Sequence, residues 1–158
     1  MHKKLLVTAY FVIAALLQTL AGNFPLSFFA FPLNVIVAVI WIYSLWRLYK
    51  EGNKLPLTRF LLSSRTSVLS ILLLIGGSLV IGLFPQLSEA EADSMPGVLA
   101  SLGCYNFMTS WIFIAILFLL LSNLAMVIIH AFYHCVRAKK RFILNHLGLW
   151  LALFAGFF

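Results

Sequence analysis

The chain has 158 residues, of which 63% are hydrophobic, 15% aromatic and only 9% charged. A soluble domain carries about 45–50% apolar and about 25% charged residues, so this composition excludes a water-soluble globule, and the abundance of apolar side chains excludes a disordered chain. The net charge of +7 comes from eleven Lys and Arg against four Asp and Glu. In an integral membrane protein such an excess marks the cytoplasmic loops rather than a nucleic-acid partner.

Five apolar stretches follow one another along the chain. A helix needs about 17–25 residues to cross a bilayer, and a spanning backbone must satisfy its own polar groups. We therefore predict an all-α integral membrane protein with about five transmembrane helices. The fifth stretch stops where the chain stops, which leaves open whether the last helix is truncated. The stretches are Leu5–Gly22, about Ser27–Trp46, Ser67–Phe84, Trp111–Phe132 and Phe142–Phe158.

The charges between the stretches predict the orientation. Three acidic residues, Glu89, Glu91 and Asp93, fall between the third and fourth stretches with no basic residue near them. All the basic residues fall before the first stretch, between the second and third, or between the fourth and fifth. Because basic residues resist translocation, the N-terminus is predicted to be cytoplasmic and the acidic loop to lie outside. The basic residues are Lys3, Lys4, Arg47, Lys50, Lys54, Arg59, Arg65, Arg137, Lys139, Lys140 and Arg141.

This pattern divides the chain into three regions. Residues 1–48 hold two N-terminal helices, 49–66 form a basic cytoplasmic loop, and 67–158 form a three-helix region with an acidic outer loop over 86–110. A cleaved signal peptide is the alternative for the first stretch. The second stretch follows after only four residues, which favours an uncleaved helix.

Two loop segments have a pattern of their own. Residues 57–62 are predicted either to lie along the membrane surface as an amphipathic turn or to be part of a solvated loop. The apolar run Val98–Leu102 is predicted to form a re-entrant or interfacial helix.

Gly76-Gly77-Ser78 and Gly82, in the third stretch, make a small-residue face that favours close helix packing.

The two cysteines fall at opposite ends of the fourth stretch. Cys104 precedes it and Cys135 follows it, so an intramolecular disulfide is excluded. Neither belongs to a C-x-x-C-H pattern, which excludes covalent c-type haem on this chain. A structural role is the simplest interpretation of both, and a redox role stays open.

The histidines are the best candidates for a functional site. His130 and His134 lie one turn apart, and His146 lies within the fifth stretch. His130 is eight residues before Ala138 and His146 is eight after it, so an antiparallel hairpin would bring both imidazoles to one depth, as a bis-histidine metal or haem site requires. The alternative for His130 and His134 is an interfacial side chain that reaches the headgroups. His146 is the stronger candidate because ionisable residues inside a span are costly and usually functional.

From residue 59 onward the chain resembles the ResB-like proteins of cytochrome c biogenesis. The resemblance rests on the order and spacing of several short apolar patterns, and it covers residues 59–158. The first two helices would then be an N-terminal extension. The patterns are Arg65–Gly77, Ile81-Gly82-Leu83-Phe84-Pro85-Gln86, Leu102–Trp111, a helix containing Asn123 that leads to a basic turn, and Asn145-His146-Leu147-Gly148-Leu149.

The resemblance implies a role in System II cytochrome c maturation in the cell inner membrane. Such a subunit works with a CcsA-type partner, moves haem b across the membrane and presents it to apocytochrome c. The family's His-Leu-Gly histidine is an axial haem ligand, and that role falls on His146, with the second ligand from the partner or from His130. The family's large outer domain and returning helix are absent, so the chain is either a fragment or one of several separate chains.

Two other classes of function stay open from the sequence. The chain is either a structural or assembly subunit without a ligand, or a small-solute transporter. No hydrolase motif, phosphate loop or pair of intramembrane carboxylates is present, so the chain is not expected to be an enzyme alone. A transporter would need polar groups along its path, and the spans offer only Gln18, Asn34, Ser70, Ser78 and Asn123.

Overall fold

The computed structural model describes residues 2–52, 55–134 and 140–157, and every regular element within these ranges is helical. The predicted all-α class is therefore confirmed, and each of the five apolar stretches contains a long helix. The elements are α1 (His2–Ala21), a 3-10 turn (Leu26–Phe29), α2 (Leu33–Lys50), α3 (Pro56–Leu61), α4 (Ser64–Leu83), α5 (Glu89–Asp93), α6 (Val98–Ser101), a 3-10 segment (Cys104–Thr109), α7 (Trp111–Tyr133) and α8 (Lys140–Phe157).

Among the described residues, α2, α4 and α7 are long and apolar enough to cross a membrane, and Val7–Ala21 within α1 is a shorter apolar helix. In the most apolar segment of α7, 61% is buried within the protein, whereas the corresponding segments of α2 and α4 are each 17% buried. The large apolar surface that α2 and α4 leave exposed is the kind that a bilayer covers. These features support an integral membrane protein, whereas the five-span count and the orientation stay predictions.

The second helix begins and ends later than predicted. Ser27, expected to open a span, lies in the 3-10 turn, and α2 begins only at Leu33. Pro32 occupies the position before that first helical residue. Proline has no backbone N–H to donate, which a helix start tolerates and a helix interior does not. At its other end α2 continues to Lys50, so the first residues of the predicted basic loop are helical.

The predicted basic loop contains the short helix α3, as the amphipathic alternative requires. Thr58, Phe60 and Leu61 are buried, whereas Leu57 on the other face is 45% exposed. Two side chains outside the helix hold its backbone. Thr66 Oγ1 donates to the Phe60 carbonyl at 2.6 Å, and Asn123 Nδ2 donates to the Leu61 carbonyl. The position of α3 on a membrane surface stays a prediction.

The predicted outer segment contains two short helices. Ser88 precedes α5, and both its backbone N–H and its hydroxyl donate to Glu91 Oε2, at 3.1 and 2.6 Å. The bond from the Ser88 hydroxyl, and to a smaller extent the bond from its backbone N–H, lower the pKa of the Glu91 carboxyl below its usual value. The apolar run after Gly97 forms α6, which confirms the helix predicted there. Val98 and Leu99 are largely exposed on it.

The chain folds into two compact units, called here the first unit and the second unit. The first unit consists of Met1–Leu26 and Ile71–Phe118, and the second of Ser27–Ser70 and Leu119–Phe158. Helices α4 and α7 contribute residues to both.

In the first unit, two glutamines hold the irregular backbone before α7. The amide oxygen of Gln18, a buried residue of α1, accepts the Trp111 N–H at 2.8 Å, while its amide nitrogen donates to Asn23 at 3.1 Å. The amide oxygen of Gln86 accepts the Phe107 N–H at 2.9 Å, and its nitrogen donates to the Cys104 carbonyl at 3.2 Å. The Pro-Gln of the resemblance thus has a structural role, which the sequence pattern did not reveal.

Two glycines of the first unit allow close packing. A Cβ on Gly77 would come within 3.3 Å of the rings of Phe107 and Phe113, so the predicted small-residue face is confirmed at this position. A Cβ on Gly76 or Gly82 would meet no atom within 4 Å among the described residues, so close packing at these two positions stays a prediction. Gly103 has a φ of +73°, and a Cβ on it would lie 2.8 Å from Gln18 Nε2.

Candidate functional site: the histidines of the second unit

The candidate site is built on α2, α7 and α8 of the second unit. Each of these helices satisfies its own backbone, so side chains make the contacts between them. Three side-chain hydrogen bonds in the described part of the unit join α2 to α7. They run from Trp41 Nε1 to Ser122 Oγ (3.2 Å), from Trp46 Nε1 to Tyr133 Oη (3.1 Å), and between Tyr49 Oη and His130 Nδ1 (3.2 Å).

His146 lies on α8, and its ring is positioned by Phe142 of the same helix. Its Nδ1 lies 2.8 Å from the carbonyl oxygen of Phe142, one turn earlier, and its ring centroid lies 3.8 Å from that of Phe142. A carbonyl oxygen only accepts hydrogen bonds, so Nδ1 carries the proton. In the neutral ring the lone pair is then on Nε2, which is the arrangement of a histidine ready to bind a metal. His146 is half-buried.

His146 belongs to a row of aromatic residues spaced four apart on α8. The row consists of Phe142, His146, Trp150 and Phe154, and the rings of Trp150 and Phe154 stack with centroids 4.6 Å apart. Trp41 of α2 lies nearly parallel to both, at 6.3 and 6.2 Å. The four-residue spacing was visible in the sequence, but the ring from α2 was not.

Two tryptophans of the second unit have a packing role. Trp41 is only 8% exposed and donates to Ser122. Trp150 Nε1 donates to the Leu121 carbonyl of α7 at 3.1 Å. Both indoles therefore join helices within the second unit, and a large ring with one donor suits that role as well as it suits an interface.

His130 and His134 form a pair at the C-terminal end of α7. Their ring centroids are 4.5 Å apart, because residues four apart lie on one face of a helix. The His130 ring contacts Tyr49 edge to face, at 6.0 Å. Tyr49 in turn lies 5.1 Å from the ring of Tyr133. The pairing of His130 with a tyrosine of α2 had no signal in the sequence.

The structure thus positions each predicted site residue by a separate set of neighbours. His146 is set by Phe142 on its own helix, and His130 by Tyr49 and His134. The described residues contain no group of three or more His, Cys, Asp or Glu side chains that could hold a metal ion. A haem held between His130 and His146 stays a prediction. Cys135 and the Ala138 turn on which that prediction depended lie outside the described residues.

The residues around His146 fit a haem group. An axial histidine needs its lone pair on one ring nitrogen and a partner for the other, and the Phe142 carbonyl supplies that partner. The flat rings of Phe142, Trp150 and Phe154 continue along the same helix and offer an apolar aromatic surface of the kind a porphyrin packs against. His146 would ligate the iron, with the second ligand from a partner protein or from His130.

The polar side chains considered for a transport path bond to nearby backbone or loop atoms. Gln18 and Asn123 hold loop backbone, as described above. Ser70 Oγ donates to the Ser67 carbonyl at 2.9 Å and Ser78 Oγ to the Leu74 carbonyl at 2.9 Å. The Asn34 amide oxygen accepts the neighbouring Val35 N–H at 2.8 Å. These contacts favour a structural use of the polar groups.

Cys104 is a free, buried cysteine in the 3-10 segment of the first unit. Burial raises the pKa of its thiol above the ordinary value. The thiolate is the nucleophile and metal ligand, so a raised pKa favours an inert packing residue over a reactive one.

Comparison with protein families, with curated proteins and with solved structures finds no match to this chain.

Proposed function

We propose that this chain is a ResB-like multi-pass subunit of the cell inner membrane that binds haem through His146 and acts in cytochrome c maturation. The observation that carries the proposal is the hydrogen bond from His146 Nδ1 to the Phe142 carbonyl. This bond orients the ring and directs the Nε2 lone pair away from the helix backbone. A CcsA-type protein is the proposed partner, and apocytochrome c is the proposed recipient.

In this role the chain's own residues bind and orient the cofactor. Phe142 sets the tautomer of His146 through its carbonyl oxygen and packs its ring against the imidazole. The second axial ligand comes from the partner or from His130. Bound haem supplies the vinyl groups that form thioether bonds with an apocytochrome.

The proposal is tested by the absorbance spectrum of the chain purified with a CcsA-type partner. The wild-type complex is expected to show a Soret band, and His146→Ala is expected to weaken it, because the axial ligand is lost. Exogenous imidazole should restore the band by filling the vacated position. Asn145→Ala, which changes the exposed neighbour of His146, should leave the band as it is. An unchanged Soret band in His146→Ala would overturn the site assignment.

A structural or assembly subunit without a ligand is the second candidate. The bonding of the polar side chains supports it, because Ser70 and Ser78 bond to carbonyl groups of their own helix and Asn123 holds the backbone of α3. This candidate predicts that His146→Leu leaves partner binding and cytochrome maturation intact. Loss of maturation with partner binding retained would favour haem handling instead.

A further inference from the structure

The pair of histidines at the C-terminal end of α7 has the geometry of a chelating site. His130 and His134 lie on successive turns, and their ring centroids are 4.5 Å apart. Imidazole nitrogens bind Zn²⁺ at about 2.0–2.1 Å, so one ion is able to bridge two rings at this spacing. Imidazole also suits Cu²⁺ and Ni²⁺, of which Cu²⁺ binds most tightly.

Tyr49 supplies the kind of support that metal-binding histidines have. Its hydroxyl lies 3.2 Å from His130 Nδ1, and it reaches the histidine from another helix. When Nδ1 donates its proton to this oxygen, Nε2 carries the lone pair and points away from Tyr49. Tyr133 packs against Tyr49 at 5.1 Å and accepts a hydrogen bond from Trp46, so the orienting side chain is itself held.

The end of α7 attracts a cation, against the four basic residues Arg137, Lys139, Lys140 and Arg141 that follow it in the sequence. The last carbonyl groups of a helix carry the negative end of its dipole, and His134 follows directly on the last residue of α7. His134 is exposed, which gives an ion a route to the pair. Two protonated imidazoles this close would repel each other, whereas an ion binds both rings in their neutral form.

We propose that His130 and His134 chelate a divalent transition-metal ion of the Cu²⁺ and Zn²⁺ class, and that Tyr49 is the positioning residue of this site. Two protein ligands from the described residues leave the other coordination positions to water. Such a site holds an ion loosely and exchanges it readily. The inference uses neither His146 nor the aromatic row of α8. It assigns His130 to the chelate, so the second axial ligand of the proposed haem site then comes from the partner.

The test uses the full chain in detergent micelles, with Cu²⁺ alone as the probe. The background variant is His2→Ala, because an amino-terminal histidine also binds Cu²⁺. We expect one Cu²⁺ with an electron paramagnetic resonance spectrum that shows nitrogen ligands. His130→Ala and His134→Ala should each weaken binding about tenfold or more, and Tyr49→Phe about tenfold, as loss of an orienting partner does elsewhere.

A matched control keeps the number of histidines and changes only their spacing. The double variant Phe132→His with His134→Ala places the second imidazole two residues from the first, where side chains do not face each other. Phe132 is 55% exposed, so the change should be tolerated, and helix content measured by circular dichroism checks this. Restored binding in this control would overturn the proposal, as would full affinity in His134→Ala.

The same variants separate this inference from the haem proposal. His134→Ala should keep the Soret band of the partner complex while it loses Cu²⁺. Loss of the Soret band with Cu²⁺ affinity unchanged would instead make His134 part of the haem site and overturn the chelate.

Discussion

The two units of the molecule differ in what their side chains hold in place: irregular loop backbone in the first unit and neighbouring helices in the second. In the first unit, Gln18 and Gln86 donate and accept hydrogen bonds around a backbone that is not regular helix. In the second unit, Trp41, Trp150 and Phe154 stack between helices. The difference follows from the backbone. Irregular segments leave N–H and C=O groups that need partners, whereas a helix satisfies its own and is free to pack through rings.

The largest expected effect is in the second unit. Trp41→Ala removes a buried ring that stacks on α8 and leaves Ser122 without its donor, so we expect unfolding free energy to fall by about 3–5 kcal/mol. Tyr43→Ala on the same helix removes a ring that is 56% exposed and should change it by less than about 0.5 kcal/mol. Denaturant titration in detergent micelles measures both. Equal effects would contradict the role given to the Trp41 stack.

The next effect is in the first unit. Gly103→Ala adds a Cβ at 2.8 Å from Gln18 Nε2 and 3.1 Å from Ser110 Cβ, on a backbone with φ +73°. Strain and overpacking together should lower stability by about 2–4 kcal/mol. Gly22→Ala is the matched control, because it has the same φ of +73° and nothing within 4 Å of the added Cβ among the described residues. The difference between the two melting temperatures isolates the overpacking, and no difference would exclude it.

A smaller effect is expected from the glutamine bonds themselves. Gln86→Leu leaves the Phe107 N–H and the Cys104 carbonyl without a side-chain partner, which should cost about 1–3 kcal/mol. Hydrogen exchange of the Phe107 amide should accelerate, while amides of α8 should not. Ser78→Ala, whose hydroxyl bonds only within its own helix, is the control. Acceleration throughout both units would show that the bond stabilises the protein globally rather than locally.

The smallest effect is local and depends on pH. The folded-state pKa of Glu91 is lowered chiefly by its bond from the Ser88 hydroxyl, so the ionised cap contributes stability above the unfolded pKa near 4.5. That contribution is lost as pH falls through the lower, folded pKa. Amide exchange across α5 should accelerate over this acidic range, and Glu91→Gln should remove the pH dependence. A similar acidic transition in Glu91→Gln would exclude this carboxylate as its origin.

The sequence predicted the helices better than the contacts between them. Apolar runs long enough to cross a bilayer identified α1, α4, α7 and α8 because hydrophobicity and length are local properties. The start of α2 was misplaced because Pro32 interrupts a run whose hydrophobicity continues through it. His146 was predicted as a site residue from its cost inside a span, and its role stays a prediction. The stack of Trp41 on Trp150 and the pairing of Tyr49 with His130 depend on tertiary packing, which no local pattern encodes.

The three hydrogen bonds between α2 and α7 cannot form until long after α2 has been synthesised. Their partners are separated by 81, 81 and 87 residues. At about 5–20 residues per second, a ribosome needs about 4–17 seconds to travel that far. Helix α2 therefore leaves the ribosome before the residues of α7 that bond to Trp41, Trp46 and Tyr49 have been synthesised. A nascent chain halted before Ser122 would contain Tyr49, the proposed positioning residue, but neither His130 nor His134.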